Sequence, residues 1–239
     1  MGKMVVYYFC MTMAKVRKHM GKLIVFEGTD GSGKATQTEL LCQALETQGV
    51  PFRRLSFPRY QEESSALVRL YLGGAFGSHP DDVNAYAAAT FYAVDRYASY
   101  RTDWGTDYEN GGLILSDRYT TSNAVHQGSK LPESELPAFF DWLYDLEYGK
   151  LGLPKPDLVI YLDVDIETSL ARMEHRQSKN HTKADIHEQD VKYLEDCLRI
   201  GHLAAEHYGW RVVPFQKDGK VRALSEKHEE IFQIVQSIL

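Results

Sequence analysis

The sequence predicts an α/β fold of three layers, a five-stranded parallel sheet flanked by helices, and two observations carry that prediction. Short, continuously apolar runs alternate with longer segments whose apolar residues recur at helical spacing. That order produces βα crossovers and a parallel sheet covered on both faces. The first apolar run also ends in a glycine-rich loop that leads directly into a helix, a junction found at the carboxyl edge of such sheets.

Taken in order, Leu23-Ile24-Val25-Phe26 is apolar throughout, as a strand buried on both faces must be. A helix follows from Lys34 to about Gln48, with Leu40, Leu41, Ala44 and Leu45 on one side and Gly49-Val50-Pro51 as its stop. Phe52–Phe57 reads as the second strand, and Asp82 to Trp104 as a long helix rich in alanine and aromatics. Gly112–Ser116 is the third strand, and Asp157–Leu162 the fourth, introduced by Pro154 and Pro156. Trp210–Val213 is the fifth, and Val221–Leu239 an amphipathic closing helix.

The chain has 239 residues, enough for one large α/β domain. Its 27 basic and 33 acidic residues leave a net charge of −6, which argues against a binder of nucleic-acid polymers, whose contact face is strongly basic. Cys10, Cys42 and Cys197 lie far apart with no Cys-x-x-Cys pair, so neither a disulfide framework nor a zinc site is expected, and a cytoplasmic location is. Residues 1–20 read as an extension outside the fold. The apolar run Val5–Met11 precedes its basic residues, the reverse of a signal peptide, and is too short to span about 30 Å of hydrocarbon. Residues 21–239 then form one domain, with no membrane partner.

Gly28-Thr29-Asp30-Gly31-Ser32-Gly33-Lys34 fits G-x-x-x-x-G-K between a buried strand and a helix. In that setting the loop's N–H groups and the helix N-terminus form an anion nest, and Lys34 places a point charge on the β- and γ-phosphates. A dinucleotide fingerprint is excluded, because the third glycine would fall at 36, where Thr36 stands. The residue after Lys34 is ordinarily Ser or Thr, which reaches magnesium; here it is Ala35, with Thr36 one position late. Carboxylates or waters must then hold the ion.

Asp117 ends the third strand at the sheet's carboxyl edge, where a carboxylate can hold magnesium through water, and Arg118 beside it can neutralise a phosphoryl group in transfer. Arg59 follows Phe57-Pro58, and a guanidinium there can fork onto a phosphate. Tyr92 and Arg96, four apart, share one helix face.

The loop, Phe57-Pro58-Arg59-Tyr60, Phe91-Tyr92-Ala93-Val94-Asp95-Arg96 and Asp117-Arg118-Tyr119 with Thr120-Thr121-Ser122-Asn123 stand in an order and spacing that resemble thymidylate kinase. The resemblance runs from about Gly21 to the end. It implies a P-loop NTPase-type fold with a mobile lid, and the reaction ATP + dTMP → ADP + dTDP with Mg2+ in the biosynthesis of dTTP.

By that resemblance Arg59 clamps the acceptor phosphate beside Phe57, Tyr92 stacks on thymine, and Arg96 donates to its O4, selecting against cytosine, which presents a donor there. Asn123 meets the base edge. His126 falls where the family often has a tyrosine against the sugar. Asp30 matches an acidic residue that meets the sugar 3′-hydroxyl or the magnesium shell. Residues Arg172 to Lys183 look like a turn-rich lid, with Arg176 as the first choice of catalytic arginine and Arg172 the second, and Glu188 reaches the magnesium shell as the lid closes. The family is typically a homodimer, and Tyr86–Tyr100 could supply the face. Two other readings remain open at this point: another P-loop deoxynucleoside or nucleoside monophosphate kinase, and a nucleotide-binding module without turnover, the latter motivated by Ala35.

Overall fold

The computed structural model describes residues 20–180 and 185–239. The reading of residues 1–19 as an extension, and of Lys183 as part of a lid, lies outside them.

Five strands, β1 (Lys22–Glu27), β2 (Phe52–Ser56), β3 (Leu113–Asp117), β4 (Leu158–Asp163) and β5 (Arg211–Pro214), form a sheet of order β2-β3-β1-β4-β5. Every pairing is parallel. Side chains alternate across a strand, and β1 shows the consequence. Leu23 and Val25 enter one core, while Ile24 and Phe26 enter the other. The first core is completed by α3 (Ala85–Ser99), α5 (Thr120–His126), α6 (Leu136–Tyr144) and α8 (Val191–Tyr208). The second is completed by α1 (Lys34–Thr47) and α9 (Leu224–Gln236). The three layers and the five parallel strands are those expected from the alternating pattern.

Three boundaries differ from the sequence expectation, each for a local reason. The long helix starts at Ala85 rather than Asp82, because Asn84 caps it through a 2.9 Å bond from the Ala87 N–H, and Pro80–Asp82 makes a separate 3-10 turn. It then runs on through a π-helical turn, Tyr100–Trp104, into α4 (Gly105–Glu109). The closing helix starts at Leu224, since Val221 is taken up by a small hairpin of β6 (Gln216–Lys217) and β7 (Lys220–Val221). The stretch expected to be turn-rich from Arg172 onward is instead part of one helix, α7 (Ile166–Asn180). Its Ile166, Leu170 and Met173 recur at helical spacing and pack on the first core. A short helix, α2 (Ala66–Leu72), packs beside α3.

The sheet order fixes where chemistry can sit. Phe26 and Asp117 are register partners on the central pair β1 and β3. The loop after β1 and the Asp117-Arg118 turn after β3 therefore emerge side by side at the carboxyl edge.

Candidate active site

The loop from Gly28 to Lys34 owes its path to glycine. Gly31 has φ +77°, and a Cβ there would lie 2.5 Å from the Ser169 carbonyl on α7. Gly33 is the N-cap of α1 with φ 98° and provides no side-chain cap. The first-turn N–H groups of α1 thus keep no acceptor within the helix, which is the condition an anion needs. Thr29 Oγ1, Ser32 Oγ, both amide atoms of Gln37 and Thr38 Oγ1 are buried around the loop without partners. Orphaned buried polar atoms are costly, and of these residues Ser32 and Gln37 line the cavity beside the loop. Lys34 Nζ bonds the carbonyls of Gly28 and Thr29 at 2.9 Å each. Burial, and then the charge of Arg118, push this ammonium down to about 8 against the pull of Asp30, Asp117 and Glu27. From α7, Ser169 Oγ donates to the Asp30 carbonyl and Arg172 Nη1 to the Gly31 carbonyl, the latter at 3.0 Å.

Arg118 is the hub between loop and sheet. Its backbone sits at φ 68°, in the left-handed region that non-glycine residues seldom enter. Its Nη2 is 2.7 Å from Asp30 Oδ1, and its Nη1 contacts Ser122 Oγ at 3.2 Å, His126 Nε2 at 3.0 Å and Glu27 Oε1 at 3.4 Å. Burial works to raise the Asp30 carboxyl, but the cations Arg118 and Lys34 outweigh it and hold Asp30 ionised, well below the usual range. Asp117 has no ion pair among the described residues and lines the same cavity.

Glu27 was not singled out from sequence, although it is a carboxylate with no exposure at the end of an apolar strand. It accepts from the Gly28 N–H at 2.9 Å, Thr121 Oγ1 at 2.6 Å and Ser122 Oγ at 2.7 Å. It therefore ties the phosphate loop to the start of α5. The signal was present: a charge closing a run of four fully buried apolar residues is a buried charge in need of partners.

Glu147 is the second such residue, and nothing in its neighbourhood of sequence marks it. Fully buried, it receives Arg96 Nε at 2.6 Å and Nη2 at 2.5 Å, Thr120 Oγ1 at 2.7 Å and Asn123 Nδ2 at 3.2 Å. Asn123 Nδ2 also donates to the Ala89 carbonyl at 2.9 Å. Arg96 and Asn123 thus reach the cavity as members of one buried network.

A single cavity of about 1040 Å³ joins these parts. At one end it is lined by Val213, Phe215, Arg222 and Lys227 beside the phosphate loop; at the other by Phe57, Tyr92, Arg96, Asn123 and His126. Lys34, Asp30, Asp117 and Arg118 stand between. Ala35 and Thr36 line the loop side, exposed. Arg59 is set back from it: its N–H and guanidinium engage Asp95 and its Nη2 meets Ser64 Oγ at 3.3 Å, while its neighbours Pro58 and Tyr60 line the cavity. Arg172 and Arg176, four apart on α7, both line the cavity. Arg172 lies 4.4 Å from the Phe215 ring centroid, and Arg176 is paired with Glu188. Glu188 also accepts from Gln177 Nε2 at 3.0 Å. Asp185 lines the cavity too, its carboxyl pushed up to about 6 by burial despite the hydrogen bonds it accepts from the Glu188 and His187 N–H groups.

A family model for thymidylate kinase matches residues 26–206. The chain is 34% identical over 220 residues to a thymidylate kinase of Nostoc punctiforme, covering 92% of this chain and 95% of that protein. It is 33% identical over 196 residues to one of Mycobacterium tuberculosis, covering 80% and 90%. Against a probable thymidylate kinase of Thermococcus kodakarensis the figure is 27% over 218 residues, covering 90% and 98%.

Proposed function

Since the chain belongs to the thymidylate kinase family, we propose that it transfers the γ-phosphoryl group of ATP to dTMP, giving ADP and dTDP. The observation that carries this reading is the continuous cavity with a phosphate nest at one end, an aromatic and amide-lined recess at the other, and Lys34, Arg118 and Asp30 between. Two nucleotides laid end to end in it bring their phosphates together over Lys34 and Arg118.

The chain's contribution is positioning and charge neutralisation. The loop's N–H groups and Lys34 take the donor's phosphates. Arg118 faces the group in flight, with Arg176 or Arg172 supplying a further positive charge from α7. Arg59 clamps the acceptor phosphate once its side chain turns from Ser64 and Asp95 toward the cavity. Two of Arg96's five N–H groups are spent on Glu147, which leaves others for thymine O4. Tyr92 and Phe57 flank the base, with Asn123 at its edge and His126 toward the sugar. Closure of the α7 end over the site excludes water, so that phosphate passes to the acceptor rather than to solvent.

Magnesium is implied by the family. No three His, Cys, Asp or Glu side chains converge as a metal cluster among the described residues, and Ala35 offers no hydroxyl. Asp117, without an ion pair, can hold the ion through water, whereas Asp30 and Glu188 are engaged by Arg118 and Arg176. That donor set fits an ion carried mainly by the phosphates, where it neutralises their charge.

The exposed apolar side chains Leu67 and Leu70 on α2, with Val94 and Tyr97 on α3, support a homodimer through these helices. No described helix is long and apolar enough to cross a membrane, and the described cysteines Cys42 and Cys197 are free thiols, in keeping with a reducing cytoplasm.

The test is ADP release from Mg-ATP with dTMP, dUMP, dCMP, dGMP, UMP, AMP and thymidine offered separately. Turnover led by dTMP is the expected result. Turnover led by thymidine would reassign the protein to the deoxynucleoside kinases, and ATP binding without any acceptor-dependent ADP would make it a binding module.

A further inference from the structure

Resting on the assignment of Arg118 to the transferred phosphate, we propose that His126 is a positioning residue for Arg118, acting as a neutral imidazole whose Nε2 accepts a guanidinium N–H. Arg118 Nη1 and His126 Nε2 are 3.0 Å apart. A guanidinium has donors only, so the ring nitrogen facing it must present its lone pair, and the ring's single proton belongs on Nδ1.

The surroundings accept that arrangement. Nδ1 faces Tyr193 Oη and Cys197 Sγ, each at 3.5 Å. Tyr193 donates its own proton to the His126 carbonyl at 2.8 Å, leaving its oxygen able to receive. His187 lies flat against the ring, centroids 5.8 Å apart and planes 10° from parallel. Burial, then the charge of Arg118, oppose a second proton and outweigh the pull of Asp30; the ring stays well below the usual histidine range.

A neutral partner is what the hub needs. Glu27 and Asp30 already set two negative charges against the Arg118 guanidinium. Those two already exceed the single positive charge of Arg118, and a third carboxylate at position 126 would add to an excess that repels a phosphate. A neutral imidazole fixes the direction of Nη1 without adding a charge. The left-handed backbone at Arg118 sets where its side chain starts, and His126, one to two turns along α5, sets where it ends.

The experiment combines nitrogen-15 NMR of the histidine rings in the full chain with steady-state kinetics of His126→Gln and His126→Leu. The ring resonances lost in His126→Gln identify His126, and in the unaltered chain at pH 7 they should report the Nδ1–H tautomer. Gln can present its carbonyl oxygen near the Nε2 position, whereas Leu fills space without accepting. His126→Gln should keep kcat within about fivefold, and His126→Leu should lose roughly 10- to 100-fold in kcat, the scale of a misplaced catalytic group, with the ATP KM within about threefold. An imidazolium or an Nε2–H tautomer would overturn the inference, as would a Leu variant with kcat equal to that of the Gln variant. The tautomer is read without turnover, so a failure of the assigned reaction would appear separately, in the unaltered chain's assay.

Discussion

Replacing Glu147 by alanine would remove the acceptor for Arg96 Nε, Arg96 Nη2, Thr120 Oγ1 and Asn123 Nδ2 together. Arg96 is 2% exposed and Glu147 not at all, so neither water nor salt can stand in for the lost carboxylate. Breaking one partner of a buried ion pair leaves an uncompensated charge and costs about 3–5 kcal/mol. For a chain of this length that corresponds to a fall in Tm of roughly 6–20 °C. Glu147→Gln keeps the volume but turns an NH2 toward a set of donors, so it should recover little of the loss. Arg96 and Asn123 line the acceptor end of the cavity and the loop lies beyond Arg118, so the dTMP KM should rise at least about tenfold, one lost charged hydrogen bond, while that for ATP moves less. Thermal unfolding followed by circular dichroism, with KM measured for both substrates below the variant's Tm, checks both parts. A Tm within about 2 °C of the unaltered protein would refute the reasoning. An equal rise in both KM values would refute the division of the cavity.

Lys34→Ala should lower the rate by at least about two orders of magnitude, as removal of a single preorganised charge in a site does, read in the coupled ADP assay. The Lys34 ammonium, depressed to about 8, is intact below that pH and lost above it. ATP affinity should therefore fall as pH rises through 8, with proton uptake on binding detectable by calorimetry in buffers of different ionisation enthalpy. Over the window from about 8 to the ordinary 10.5 the unfolded chain holds the proton that the folded one lacks, so this group makes stability rise with pH there. Ala35→Ser should leave kcat within about tenfold under the proposed reading, in which the phosphates and Asp117 carry the metal; a larger gain would show that the missing hydroxyl limits the reaction.

Much of the fold was legible because its signals are local. A strand buried on both faces writes itself as an apolar run, and Leu23–Phe26 and Leu158–Leu162 are buried throughout. The phosphate nest is local as well, since strand, loop and helix N-terminus are consecutive, and Gly28, Gly31 and Gly33 all take positive φ where a Cβ would obstruct or strain the loop. The helical state of Arg172 and Arg176 was missed because this polar segment borrows its order from contacts at Ser169 and Met173 with the loop and the core. Propensity is a weak guide where tertiary packing decides.

Glu27 and Glu147 show where sequence reading stops. Glu27 is marked in sequence only as a charge closing an apolar run and Glu147 not at all, and the partners that give each its role are distant: Arg118 lies 91 residues from Glu27, and Arg96 lies 51 from Glu147. By itself the sequence determined the alternation of strands and helices, the phosphate loop and the identity of the charged groups near it, because these follow from periodicity and from neighbours in the chain. The tertiary structure alone decided the strand order that sets Asp117 beside the loop, the buried carboxylates that aim Arg96 and Arg118, and the imidazole that completes the second of these. Such contacts join residues far apart in the chain, and their cost in closing the loops between them is met only when the whole sheet and its two cores form together.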